Sequence, residues 1–287
     1  DRLAEKQYCS RSCYSTAFCY VNRYDNRRRY NIMMIKITER CTMGCTHCMN
    51  NATPEGTDMT PKMLNHCLNF LKENNIGKVF ILSGREPTEH RDFDTMMQTI
   101  IDWQRFHKYI HSIFVTTNGE NIAKDWKYYV DLQKRFKEVG ISLQFQVSAD
   151  VRFYPRRIPV HKRIFREEGF LLVDDCVEQV YPQGRAKENN IPWQSKCSKC
   201  YNCRAISHQK ENCTLADIEK ILLSYGKFCT PHISTAGNIK LGESDLCPIC
   251  CGIFDFPDVI MKSIREFKCN QCDFINDKLD DFHKKFL

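Results

Sequence analysis

The strongest constraint on the fold is an alternation of strands and helices that begins at residue 31. Apart from Asn31 and Lys36, the run "NIMMIKIT" (31–38) consists of apolar and β-branched residues, which is typical of a strand covered on both faces. The segment "TPKMLNHCLNFLKENN" (60–75) predicts a helix, with Thr60 as N-cap and Pro61 in the first turn. The same unit repeats, with strands predicted at 78–84, 112–119 and 141–150 and helices at 92–108 and 124–138. This alternation predicts a parallel sheet built from right-handed crossovers, as a barrel or a doubly wound sheet.

The pattern becomes irregular after residue 150. A short strand is predicted at 170–173, and the stretch 176–186 leaves no room for another full helix. We therefore predict an α/β fold with an incomplete barrel, followed by a small cysteine-rich domain. The expected domains are an unassigned lead (1–30), the partial barrel (31–190) and the cysteine-rich domain (191–287).

Cysteine usage indicates metal binding. The chain has 18 cysteines in 287 residues and a net charge of +7. It shows neither a signal-peptide run nor an apolar stretch of about 18 residues, so we expect a soluble cytoplasmic protein. In a reducing compartment, cysteines at C-x2-C or C-x3-C spacing are better explained as metal ligands than as disulfides.

Three cysteines fall within eight residues in "CTMGCTHC" (41–48). Cys41, Cys45 and Cys48 follow the first strand, at the sheet edge where α/β barrels place their active sites. Three thiolates can bind three irons of a [4Fe–4S] cube and leave the fourth iron open. The alternative is a zinc site completed by His47 or by a distant ligand.

The C-x3-C-x2-C motif after a first strand resembles the signature of the radical S-adenosylmethionine (radical SAM) superfamily. The resemblance implies that the open iron of the cluster chelates S-adenosylmethionine and that His47 lies against the adenine. It also implies reductive cleavage to methionine and a 5′-deoxyadenosyl radical, which abstracts hydrogen from a substrate. The fold that it implies is an incomplete (β/α)6 barrel of the partial TIM type.

Further motifs resemble the same superfamily at later strand ends. "SGREP" (83–87) is similar to the family's Gly-Gly-Glu-Pro stretch, which implies that Gly84 lies at the cofactor and that Glu86 binds the methionine amino group. An arginine stands at the second glycine position. "TTNG" (116–119) and "QVSAD" (146–150) match by position, which adds Thr117, Asn118 and Ser148 as cofactor-binding candidates, with Ser148 at the ribose. The other interpretation of the Asn-Gly pair is ordinary turn chemistry at a strand end.

The cysteine-rich tail resembles the SPASM and twitch domains of this superfamily. The segment 229–247 fits C-x12-G-x4-C, and "CNQC" (269–272) would supply two further thiolates. The resemblance implies an auxiliary [4Fe–4S] cluster held by four cysteines: Cys229, Cys247, Cys269 and Cys272. "YPQGRA" (181–186) resembles the segment that precedes such domains.

Other cysteines leave alternatives open. Cys250 and Cys251 are rival ligands in "CPICC". A further iron–sulfur or zinc site could be formed by a second set of four: Cys197, Cys200, Cys203 and Cys213. Cys67 is expected in a helix core, and Cys176 is expected to be buried. The lead holds three more, Cys9, Cys13 and Cys19, in a disordered segment or a third metal site.

The predicted function is that of a radical SAM enzyme, with no catalytic side chain assigned. By family analogy the substrate is a ribosomally made peptide or protein, and an external donor of the flavodoxin or ferredoxin type supplies electrons. The alternatives are a radical SAM dehydrogenase of a small molecule and, from another class, a zinc-rich nucleic-acid-binding protein. We expect no membrane partner and no nucleic acid.

Overall fold

The computed structural model describes residues 32–148, 153–156, 162–173, 184–191, 232–240 and 247–266. The strands are β1 (Ile32–Thr38), β2 (Val79–Gly84), β3 (Ser112–Thr117), β4 (Ser142–Ser148), β5 (Leu171–Val173), β6 (His232–Ile233), β7 (Asn238–Lys240) and β8 (Ile249–Gly252). The helices are α1 (Pro61–Glu73), α2 (Phe93–His107), α3 (Glu120–Lys124), α4 (Trp126–Glu138), α5 (Lys162–Glu167), α6 (Gly184–Glu188) and α7 (Pro257–Glu266).

The eight described strands form one sheet in the order β5-β4-β3-β2-β1-β6-β7-β8. Neighbours from β5 to β6 pair in parallel, and β6, β7 and β8 pair antiparallel. Within the described part of the chain the sheet does not close, because β5 and β8 are separate edges. The predicted α/β fold with an incomplete barrel is confirmed.

The two faces of the sheet differ in chemistry. Alternate residues such as Ile35, Phe80 and Phe145 belong to the main apolar core, together with the buried faces of α1, α2 and α4. The helix cysteine Cys67 is fully buried in that core, as predicted. The residues between these positions point to the opposite face, because side chains alternate along a strand.

Local capping explains where the predicted elements begin and end. The Thr60 side chain accepts a hydrogen bond from Met63 N at 3.1 Å, so α1 begins at the next residue, as the sequence predicts. The third strand ends two residues earlier than predicted. Asn118 Oδ1 accepts from Glu120 N at 2.8 Å, and Gly119 at φ +85° turns the chain into α3.

The described part of the tail is an extension of the barrel sheet. β6 pairs with β1, and Ile239, Cys251, Ile253 and Ile260 belong to the main core. The apolar side chains of this part of the tail are therefore buried against the barrel. The domain boundary near residue 190 stays a prediction.

None of the helices that the structure describes is long and apolar enough to cross a membrane.

Candidate functional site

The loop between β1 and α1 brings the three predicted cluster ligands together. Cys41, Cys45 and Cys48 pack in one small cluster with Met43 and Ala52. The loop conformation is fixed by its own backbone, because Cys41 N donates to the Thr53 carbonyl at 3.0 Å and Cys48 N to the Cys45 carbonyl at 3.3 Å. The local sequence therefore arranges three thiols on one side of the loop.

Burial makes two of these thiols weaker acids when no metal is bound. It is the main cause of the rise in the pKa of the Cys41 and Cys45 thiols from 9.0 to about 12, and the negative charge of Glu86, together with that of Cys48 beside Cys45, contributes to the same rise. A positive metal centre favours the thiolate form, so metal binding releases protons. Among the described residues, no group of three His, Cys, Asp or Glu side chains is placed to hold a single metal ion. In an iron–sulfur cube each thiolate binds a different iron, and three clustered thiols fit that donor set.

Glu86 lies at the end of β2 beside this loop. Its backbone N donates to the Arg40 carbonyl at 2.9 Å, and its side chain is 1% exposed. The carboxylate accepts four hydrogen bonds: from Thr88 N (3.2 Å), Thr88 Oγ1 (2.6 Å), Thr117 Oγ1 (2.6 Å) and Asn118 N (2.6 Å). Burial raises its pKa from 4.5 to about 7, although these donors oppose the rise. Three of the four donors bind to Oε1, so Oε2 can accept one further hydrogen bond.

Gly84 allows the β2 end to approach β1. A Cβ added there would lie 2.3 Å from the Thr38 carbonyl oxygen, and φ is +144°. Only glycine fits this contact. The next residue, Arg85, adopts an ordinary backbone and its N donates to the same carbonyl at 3.3 Å.

The other predicted cofactor positions lie around the same edge. Thr117 and Asn118 are partners of Glu86, as above, and Asn118 Nδ2 is buried without a hydrogen-bond partner among the described residues. Ser148 is half-buried at the end of β4. His47 is half-buried on the loop between β1 and α1, and the centroids of its ring and of the Phe153 ring are 4.8 Å apart. The structure thus places every predicted cofactor-binding residue at the carboxyl ends of β1 to β4 or on the loop that follows β1. Their roles stay predictions.

Comparison with known proteins identifies this arrangement. Residues 35–171 match the Radical SAM superfamily. Those residues belong to the radical SAM superfamily. The prediction of a radical SAM enzyme is confirmed at the level of the superfamily. The assignment to the SPASM or twitch subfamily stays a prediction.

Curated relatives match about half of this chain. Molybdenum cofactor biosynthesis protein 1 of Homo sapiens is 33% identical over 144 residues, 47% of this chain and 21% of that protein. GTP 3′,8-cyclase of Pasteurella multocida is 30% identical over 141 residues, 47% of this chain and 39% of that protein. The match therefore spans well under half the length of each relative.

A solved structure, BtrN in complex with AdoMet and 2-DOIA, is also similar in shape. It has a TM-score of 0.49 at 13% identity, over 90% of this chain and 87% of that one. Similarity at this level does not extend to the substrate.

Arg185 is a site residue that sequence reasoning missed. Its Nε donates to the Cys45 carbonyl at 2.9 Å and its Nη1 to the Ala52 carbonyl at 2.7 Å, across both sides of the radical SAM cluster loop. Gly184 permits this approach, since a Cβ there would lie 2.8 Å from the Cys48 carbonyl oxygen. The resemblance of "YPQGRA" to a family segment was the available signal, but it did not indicate the contact.

Arg156 fixes the other end of the loop. It donates to the Thr42 carbonyl at 3.1 Å and to Glu120 at 2.5 Å, while Glu89 accepts from Thr42 N at 2.8 Å. The hydrogen bond from Arg156 holds the pKa of Glu120 below its ordinary value. These contacts join segments 36 to 114 residues apart, and no local pattern indicates them.

The three tail cysteines that the structure describes differ in how deeply they are buried. Cys251 is buried on the core side of β8, whereas Cys250 is half-buried and Cys247 is buried just before the strand. Among the rival ligands, Cys251 is thus a core residue. The other predicted auxiliary ligands lie outside the described residues: Cys229, Cys269, Cys272, Cys197, Cys200, Cys203 and Cys213. Cys176 and the three lead cysteines lie outside them as well.

Proposed function

We propose that this chain binds S-adenosylmethionine beside a [4Fe–4S] cluster held by Cys41, Cys45 and Cys48, and initiates hydrogen abstraction from a substrate. A cluster held by these cysteines would supply the electron for reductive cleavage of S-adenosylmethionine to methionine and a 5′-deoxyadenosyl radical. The electron comes from an external donor of the flavodoxin or ferredoxin type. The observation that carries the proposal is the position of the Glu86 carboxylate directly beside the three-thiol loop.

The chain's own residues supply binding and orientation. Glu86 has a free acceptor site on Oε2 for the ammonium of the methionine moiety, and Thr117 and Asn118 hold the carboxylate in place. Arg185 and Arg156 fix the two ends of the loop that carries the thiols. His47 is proposed to lie against the adenine and Ser148 to bind the ribose.

For the substrate, a peptide or protein is our first candidate, by analogy with enzymes that have an auxiliary-cluster tail. A nucleotide is the second, and the name of the bacterial relative, GTP 3′,8-cyclase, favours it. The two are separated by adding GTP to the reduced enzyme. A rise in 5′-deoxyadenosine above the rate without substrate would favour the nucleotide, and an unchanged rate would favour the peptide.

Replacing all three loop cysteines by alanine tests the central chemistry. In protein purified anaerobically, the Cys41→Ala/Cys45→Ala/Cys48→Ala variant should lose about four irons per chain and should form no 5′-deoxyadenosine with dithionite. Cys67→Ala is the matched control, because this buried cysteine lies in the helix core away from the loop. If the triple variant still cleaved S-adenosylmethionine at the wild-type rate, the assignment of the cluster to these residues would be wrong.

The tail is proposed to hold an auxiliary [4Fe–4S] cluster on Cys229, Cys247, Cys269 and Cys272. The spacing of these cysteines in the sequence supports this proposal. A four-thiolate cluster has no open iron, so its role would be electron transfer or structure.

A further inference from the structure

A layer of polar side chains crosses the sheet on the face opposite the main core. Lys36 pairs in register with Ser83, and Thr116 pairs with Gln146. Leu82 pairs with Val115, so the residues that follow them, Ser83 and Thr116, are also neighbours. These four residues, which we call the polar layer, therefore come from four adjacent strands and point to the same side.

The polar layer lies between an apolar floor and the radical SAM site. Two residues earlier on β1, β2 and β3 the register brings together Met34, Ile81 and Phe114, which are all buried. On β4 the corresponding residue is Gln144, which is half-buried and donates to the Gly169 carbonyl. In the other direction, the site residues follow almost at once. Ser83 is three residues before Glu86, and Thr116 is directly before Thr117.

Three of the four residues of the polar layer are buried, although one of them carries a positive charge, and Thr116 is half-buried. Lys36 is 2% exposed, Ser83 is 7% exposed and Gln146 is also buried. Burying such groups in a sheet costs free energy unless they are paired. Lys36 and Gln146 make contacts within the chain. Ser83 Oγ, however, has no hydrogen-bond partner among the described residues, and neither has the Nδ2 of Asn118, which follows Thr116 by two residues.

The chemistry of the polar layer favours an anion. Lysine and the Asn118 amide nitrogen can only donate hydrogen bonds, and the serine, threonine and glutamine side chains can each donate. None of the strands β1 to β4 contains an aspartate or a glutamate. At the rim, the Glu86 carboxylate already accepts four hydrogen bonds. A phosphate or a carboxylate would pair with these donors.

We propose that the polar layer binds an anionic group of the substrate, a phosphate or a carboxylate, below S-adenosylmethionine. This inference rests on the proposed function, because it places the substrate under the strand ends where the radical would form. It restricts the substrate to compounds that carry a phosphate or a carboxylate group. That group would lie against the polar layer of the sheet.

The test is calorimetric titration of the anaerobically purified full chain, with its clusters, at constant ionic strength. The probes are sodium pyrophosphate for a phosphate group and sodium glutarate for a carboxylate. Whichever probe binds the wild-type protein identifies the class of anion. Lys36→Met should weaken that probe at least about tenfold, and Ser83→Ala about threefold. Lys134→Met is the matched control, because it removes a lysine from the exposed face of α4, and it should leave binding unchanged.

Several results would overturn the inference. A wild-type protein that binds neither probe at about 10 mM would do so. So would wild-type affinity in both Lys36→Met and Ser83→Ala, and the serine variant keeps the test decisive should the lysine variant fail to fold. An equal loss of affinity for S-adenosylmethionine and for the probe in Lys36→Met would assign the lysine to the cofactor site instead.

Failure of the inference is distinguishable from failure of the proposed function. A wild-type protein that forms 5′-deoxyadenosine but binds neither probe overturns the inference alone. One that binds pyrophosphate but forms no 5′-deoxyadenosine contradicts the proposed function and leaves the anion site standing.

Discussion

Replacing Glu86 by glutamine is expected to change how the stability of the chain depends on pH. The Glu86 carboxyl has a pKa of about 7 in the folded chain, because it is fully buried, against 4.5 for an ordinary glutamate. Between these two pH values the folded chain holds a proton that the unfolded chain has released. The free energy of unfolding therefore falls as pH rises through this range.

The size of the effect follows from the pKa. At about 1.4 kcal/mol for each pH unit, the rise from 4.5 to about 7 corresponds to a loss of about 3 kcal/mol. Glutamine does not titrate, so the Glu86→Gln variant lacks this loss. Its amide nitrogen would instead face Asn118 N–H, and two facing donors cost about 1–3 kcal/mol. The variant should be less stable than wild type near pH 4.5, and equal or more stable at pH 8.

Urea unfolding of the cluster-free protein, followed by circular dichroism from pH 4.5 to 8, measures this difference. The Cys41 and Cys45 thiols stay protonated throughout, since burial raises their pKa to about 12. Glu138→Gln is the matched control, because this residue is exposed at the end of α4. A stability difference between Glu86→Gln and wild type that stays constant across the pH range would refute the reasoning.

Three further variants test the hydrogen bonds from Arg185 to the loop and the roles of two tail cysteines. Arg185→Lys keeps the charge but cannot bridge two loop carbonyls, so it should cost about 1–3 kcal/mol in urea unfolding and speed iron loss to a chelator; unchanged iron retention would contradict the anchoring role. Cys251→Val should change stability by less than about 1.5 kcal/mol and leave the iron content unchanged, because the side chain lies in the apolar core. Cys247→Ser should lower iron in the tail, and a loss of iron in Cys251→Val instead would reverse this assignment.

The sequence by itself determined the local features of this protein. Apolar periodicity and the Thr60 cap predicted α1 to within two residues, because a helix depends on contacts three and four residues apart. The spacing of Cys41, Cys45 and Cys48 likewise needed only one loop, which arranges three thiols on one side by its own backbone hydrogen bonds.

Only the tertiary structure decided how distant segments meet. Arg185 contacts a carbonyl 140 residues away, and β6 pairs on one side with β1, from the other end of the described chain. The polar layer depends on the register of four parallel strands. Lys36 on β1 lies at one end of this row of residues and Gln146 on β4 at the other. Parallel strands are joined by long crossovers, so residues that are close in the sequence do not indicate which strands pair. Their partners are chosen by the burial of the whole sheet, and that choice made a lysine in an apolar strand part of a candidate site.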